Sequence, residues 1–192
     1  MSKRATMFLL SLTAFMGVGF AQGKPEKPQN VGVCDVVKEP DRFNSKMITV
    51  RGRVSIAFER FELSAAHCAS QESDGIWLEY GKGPKTQPTT WCCGDLTPMD
   101  SLALTQNQDF RNFDRLLTAQ RRVKGCYEWQ CYVYDVTATI TGRLDAVTPK
   151  PDGNGNGVCS GFGHFGLYCA RLVIQKVSDV VASRTTGLKR MK

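Results

Sequence analysis

The chain has 192 residues, 42% hydrophobic and 22% charged, long enough for one domain with a real core rather than a scaffold held together by staples. Its formal charge of +7 sits at the ends: Lys3, Arg4, Lys24 and Lys27 outweigh Glu26, and Arg184, Lys189, Arg190 and Lys192 have no acid among them. Residues 30–183 are therefore neutral, which argues against a surface that tracks phosphates, so nucleic acid is not an expected partner.

Residues 1–21 read as a signal peptide. Lys3 and Arg4 precede the apolar run Ala5 to Phe20, and Gly19-Phe20-Ala21 supplies small residues around a cut after Ala21. The run is short for a membrane span of about 20 residues, so the expectation is a secreted or periplasmic chain with no transmembrane segment after cleavage. Residues 22–30 form a proline-bearing extended lead-in, residues 31–183 a single domain, and residues 184–192 a basic, frayed tail. The eight cysteines, Cys34, Cys68, Cys92, Cys93, Cys126, Cys131, Cys159 and Cys169, all follow the cut. An even count in an exported chain suits four disulfides, whose connectivity spacing cannot fix. Cys126 with Cys131 and Cys159 with Cys169 are the pairs suggested by short intervening segments; adjacent Cys92 and Cys93 suit different partners.

Within the domain, Val31 to Lys38 forms a short helix or strand that ends at Glu39-Pro40, because a residue before proline avoids the helical region. From Lys46 to Phe58, Ile48, Val50, Val54, Ile56 and Phe58 share one parity and Met47, Thr49, Arg51, Arg53 and Ser55 the other, the period of a strand with one dry face. Gly52 falls on the dry parity, which marks a coiled rather than a flat strand. Phe58 to Leu63 continues it irregularly, and Ile76 to Tyr80 is the next strand. Phe110, Phe113, Leu116 and Leu117 then recur at helical spacing, with acids early and Arg121, Arg122 and Lys124 late, predicting an amphipathic helix whose stripe packs on the sheet. Tyr132 to Leu144 returns to period two with Gly142 on the dry parity, and Leu167 to Lys176 supplies a last strand that residues 177–181 extend. The expected class is α+β: a small OB-like antiparallel β-barrel with one packed helix and long disulfide-bearing loops.

The phrase E-P-D-R-F-N-S-K-M-I-T-V-R-G-R-V resembles the opening of OB-fold domains of the tRNA-anticodon-binding type. The late G-F-G-H-F-G-L-Y-C-A-R-L-V-I-Q-K-V-S-D-V resembles the closing strand of small exported bacterial proteins without assigned function. The resemblance implies an open ligand face with aromatic platforms, for which Arg51, Arg53 and Arg143, with Trp77 or Tyr132 nearby, are the candidates. The expected function is an exported binding or structural module whose partner is a protein, a saccharide or a cell-envelope component.

Two further constellations bear on chemistry. Asp152, Asn154 and Asn156 with Gly157 match the first half of a calcium loop, but the twelfth position is Gly163 instead of glutamate, so no cofactor is expected and calcium is the alternative. His67 and His164 with an unpaired cysteine would make a metal-binding or thiol-dependent enzyme, the competing reading. No G-x-S-x-G, H-E-x-x-H or phosphate loop is present.

Overall fold

The computed structural model describes residues 27–57, 60–66, 68, 75–83, 102–120, 134–151 and 157–184. The strands are β1 (Gln29–Val31), β2 (Met47–Ala57), β3 (Arg60–Ser64), β4 (Gly75–Tyr80), β5 (Tyr134–Ala146), β6 (Lys150–Pro151), β7 (Gly157–Val158) and β8 (Ala170–Arg184). The helices are α1 (Val33–Lys38) and α2 (Gln108–Gln120). Six strands form one sheet in the order β1-β2-β3-β4-β8-β5, and β2 also pairs with β5. Hydrogen bonding thus runs as a ring from β2 through β3, β4, β8 and β5 back to β2, with β1 added alongside.

The sheet is mixed, which corrects the antiparallel expectation. β1 runs parallel to β2 and β4 parallel to β8, while the other pairs are antiparallel. The chain leaves β4, passes through α2 and β5, and returns as β8 in the direction of β4; a parallel neighbour requires such a crossover. A second correction concerns residues 58–63. β2 and β3 pair antiparallel from Ala57↔Arg60 to Arg53↔Ser64, so the chain reverses there instead of continuing. At the ends of the domain, Gln29 and Asn30 belong to β1, and Arg184 pairs with Tyr134, so the expected lead-in and tail each give residues to the sheet.

The dry parities point inward as read. Ile48, Val50, Val54, Ile56, Phe61, Leu63, Ile76, Leu78, Tyr80, Val136, Ile140, Leu144, Leu172 and Ile174 are all buried. Gly52 and Gly142 lie in this inner row because there is no room for more. A Cβ on Gly52 would stand 2.8 Å from the Ser64 carbonyl oxygen, and one on Gly142 would overlap the backbone of Val173. β8 bends by two register shifts against β5, one opposite Thr141 and Gly142 and one between Thr137 and Thr139, where Asp179 takes a left-handed φ of 49°. Bulges of this kind increase coiling. The carbonyls at the first are used: Gly81 N–H donates to Ile174 (2.9 Å) and Thr105 N–H to Gln175 (2.7 Å).

α2 is the predicted helix. Asn107 caps it by accepting from the Phe110 amide at 2.9 Å, and Phe110, Phe113 and Leu117 are buried against β8 and β5. Tyr80 links helix and sheet, its ring meeting Phe61 and Phe110 edge-on at 5.4 Å each. α1 ends at Lys38, and Glu39 turns to an extended φ of −133° before Pro40.

A disulfide between Cys34 and Cys68, with Cα atoms 5.0 Å apart, ties α1 to the segment after β3. It closes 34 residues of sequence, for which loop-closure entropy alone gives about 4 kcal/mol. Replacing both cysteines with serine should lower unfolding free energy by that order, read from non-reducing urea denaturation. A loss below about 1 kcal/mol would mean that the packing of α1 carries the attachment without the bond.

Candidate functional site

Where the inner row is apolar, the outer face of β3, β4, β8 and β5 carries charges and rings. Pairing sets Glu62 opposite Trp77, Trp77 opposite Arg171, and Arg171 opposite Asp145. Four strands thus bring one row of side chains side by side, about 14 Å from end to end at the usual strand spacing. One step along each strand lie Arg60, Glu79, Val173 and Arg143, of the same parity.

Arg171 is the centre of this face. It is a charged residue only 7% exposed, and a buried cation persists only where it is paired. Its Nη2 donates to Asp145 Oδ2 at 2.7 Å and its Nη1 to Glu79 Oε2 at 3.2 Å. Asp145 also accepts two bonds from Arg143, at 2.8 and 3.0 Å, the bidentate geometry that guanidinium favours. The ring of Phe162 lies 4.8 Å from the Arg171 guanidinium carbon, a cation–π contact.

Burial and pairing divide the two carboxylates. Burial pushes Glu79 above the ordinary carboxylate value, and the nearby charge of Arg171 offsets only part of it. Burial also pushes Asp145 upward, but hydrogen bonds and charge from Arg143 and Arg171 outweigh it and hold the group low. At the other end, Tyr168 donates its hydroxyl to Glu62 Oε2 at 2.6 Å. Burial first, then the neighbouring Glu62 charge, push this phenol upward, so it stays a donor. Arg60 stands 3.7 Å from Glu62. The three guanidinium groups and three carboxylates of this face balance.

The segment that follows β7 lies over the row. Cys159 and Cys169 are bridged, as their spacing suggests. Between them Phe162 and Tyr168 exchange backbone hydrogen bonds at 2.9 and 3.1 Å, and Gly161 N–H donates to Gly166 at 2.8 Å, making a compact flap. The Tyr168 ring sits 5.3 Å from that of Trp77. Gly163, with φ +71°, passes so close that a Cβ there would be 2.5 Å from Trp77 Cε3; only glycine fits, for conformation and for space. The outside of the flap is apolar: Phe165 is 71% exposed and Leu167 50%.

The predicted ligand residues are divided among two places. Trp77 and Arg143 belong to this face. Arg51 and Arg53 lie on the outer parity of β2, opposite Thr139 and Thr137, whereas Arg143 pairs with Met47, four residues or about 13 Å away along the strand. Arg51 donates to Thr139 Oγ1 and to the Asp179 carbonyl, both at 3.1 Å. Arg53 pairs with Asp135 at 2.6 Å in an exposed contact of small energetic weight. Both arginines are engaged with groups of β5 and β8, away from the Arg171 face.

Glu62, Glu79, Asp145, Phe162, Tyr168 and Arg171 were not singled out by the sequence. One signal was there: Arg171 is a lone charge in the apolar run C-A-R-L-V-I, the mark of a paired, buried cation.

Tyr132, His67, Cys92, Cys93, Cys126, Cys131 and the calcium-loop residues Asp152, Asn154 and Asn156 lie outside the described residues, as does residues 1–21. His164 is on the flap with its ring 3.9 Å from that of Phe165. Among the described residues every cysteine is bridged, no three metal-binding side chains cluster, and no helix is long and apolar enough to cross a membrane. No family model, no curated protein and no solved structure matches this chain.

Proposed function

We propose that the chain is an exported binding module, secreted or periplasmic, whose ring of strands is an OB-type barrel and whose ligand is an uncharged, hydroxyl-rich saccharide of the cell envelope. The strand order β2-β3-β4-β8-β5, with β4 parallel to β8, supports the barrel reading. OB-type domains bind oligonucleotides or oligosaccharides on the face of their second and third strands, which here are β3 and β4. The two disulfides favour an oxidising compartment.

One observation carries the choice of ligand: the face is aromatic and yet charge-balanced. A phosphate-tracking groove needs cations left over after internal pairing, and here Arg60, Arg143 and Arg171 are matched by Glu62, Glu79 and Asp145. Such a face recognises a ligand by ring stacking and by hydroxyl groups bonded to carboxylate and guanidinium. Tyr168 presents one such hydroxyl to Glu62.

Calorimetric titration of the mature protein with cellohexaose, chitohexaose and oligothymidylate tests this. Saccharide binding that changes little with salt, and that Trp77→Ala weakens about tenfold (~1.4 kcal/mol), is the expected result. Salt-sensitive binding of oligothymidylate, with no response to either sugar, would replace the saccharide reading with a nucleic-acid one.

A further inference from the structure

We infer that the flap closed by Cys159 and Cys169 is a lid that occupies the ligand face and is displaced when ligand binds; this rests on the saccharide-face reading above. Two of the contacts that the flap makes with the row, those of Tyr168 and Gly163, are of the kind a bound sugar would make in their place, and a third covers a cation of the row. Tyr168 supplies a hydroxyl to Glu62. The backbone at Gly163 passes close to the Trp77 ring, leaving no room for a Cβ, in the place that the C–H face of a pyranose ring would take. Phe162 covers the guanidinium of Arg171. The chain therefore carries an intramolecular occupant for the row Glu62, Trp77 and Arg171.

The construction of the flap suits a body that moves as one piece. Its own backbone hydrogen bonds, Phe162 with Tyr168 and Gly161 with Gly166, stay intact if it lifts. Its disulfide closes it at the base, with the Cα atoms 5.1 Å apart, and the Cys169 carbonyl is held by the Val147 amide at 2.9 Å. That end is anchored to the sheet. Phe165 and Leu167 face outward and contribute little to holding it down, so it rests on the row through Phe162 and Tyr168.

A lid lowers apparent affinity by the fraction of time it is open, so loosening it tightens binding. The test uses the full mature protein with Trp91→Phe and Trp129→Phe, which leaves Trp77 as the sole tryptophan. Two independent changes loosen the flap: Gly163→Ala, whose Cβ cannot fit against Trp77, and Cys159→Ser with Cys169→Ser. Acrylamide quenching of Trp77 and cellohexaose affinity are measured for all three proteins, with circular dichroism to verify folding; two variants guard against one that fails to fold. The expected result is that quenching rises at least about twofold and affinity rises roughly tenfold in the loosened proteins.

Higher quenching with weaker binding would make the flap a wall of the site and overturn the lid. Unchanged quenching and affinity, with the parent still binding sugar, would overturn the lid and leave the saccharide face standing. No sugar binding by any of the three proteins would remove the saccharide face and the lid with it.

Discussion

Gly142→Ala should be the most damaging single methyl that can be added to this protein, lowering unfolding free energy by about 3 kcal/mol. Gly142 lies in the inner row of β5, opposite Ile48 on β2 and Ile174 on β8. A Cβ there overlaps the backbone of Val173 and comes within 3.2 Å of Leu172 Cδ1. Val173 cannot retreat, because β8 is hydrogen-bonded to β5 on one side and β4 on the other. The same change at Gly52 meets the Ser64 carbonyl at 2.8 Å and the Leu63 side chain at 2.9 Å, and a side chain can yield in part; about 1–2 kcal/mol is expected. At Gly83 the nearest atom is Gln106 Nε2 at 3.2 Å, the end of a flexible side chain, so the effect should stay within about 0.5 kcal/mol. Thermal melts should therefore rank Gly142, Gly52, Gly83, with the first losing roughly 10 °C for a chain of this size. Equal losses at Gly142 and Gly83 would mean that β5 and β8 do not approach as described.

Arg171→Met is the second large effect. It leaves Glu79 and Asp145 buried beside an apolar side chain, and breaking such a pair from one side costs about 3–5 kcal/mol near neutral pH. The pH dependence separates the two acids. Asp145, whose native value is held low, stabilises the fold above the ordinary carboxylate range, and this contribution is lost as pH falls through its depressed native value. Glu79, whose native value is raised, has the opposite sign: its contribution is complete below its ordinary value and is lost as pH rises through the raised one. Without Arg171 the offsetting cation is gone and Glu79 rises further. The variant should accordingly regain part of its lost stability between neutral pH and about pH 5, and Glu79→Gln added to Arg171→Met should recover part of it at neutral pH. Urea denaturation at the two pH values measures both. A deficit that does not change with pH, and that Glu79→Gln does not reduce, would show that Arg171 matters through packing alone.

Much of this architecture was legible in the sequence, and the limits have physical causes. Period-two alternation gave β2 and β5 and their inward faces, and Gly52 and Gly142 on the dry parity marked coiled strands; that they also mark a close approach of backbones came from the structure. Helical spacing from Phe110 to Leu117 gave α2. Alternation carries no strand direction, however, so nothing in I-W-L-E-Y or A-R-L-V-I said that β4 and β8 would pair parallel. The reversal between β2 and β3 was hidden because Phe58 and Glu59 have none of the glycine, asparagine or proline that usually mark a turn. The outer row was hidden for a different reason: Arg171 meets partners 26 and 92 residues away, and Tyr168 meets Glu62 across 106. Only the register of four strands brings them together. Arg51, Arg53 and Arg143, which the sequence offered as ligand residues, each have partners within the fold.

The most direct test of the saccharide face is a nitrogen–proton NMR titration of the mature protein with cellohexaose, following the Trp77 indole and the side-chain signals of Arg171 and Arg60. If β3, β4 and β8 carry the ligand, these signals and the amides of residues 160–168 shift together along one saturating curve. If the ligand instead moves signals near Arg51 and Arg53 on β2, or saturates without touching Trp77, the binding face has been assigned to the wrong strands of the sheet.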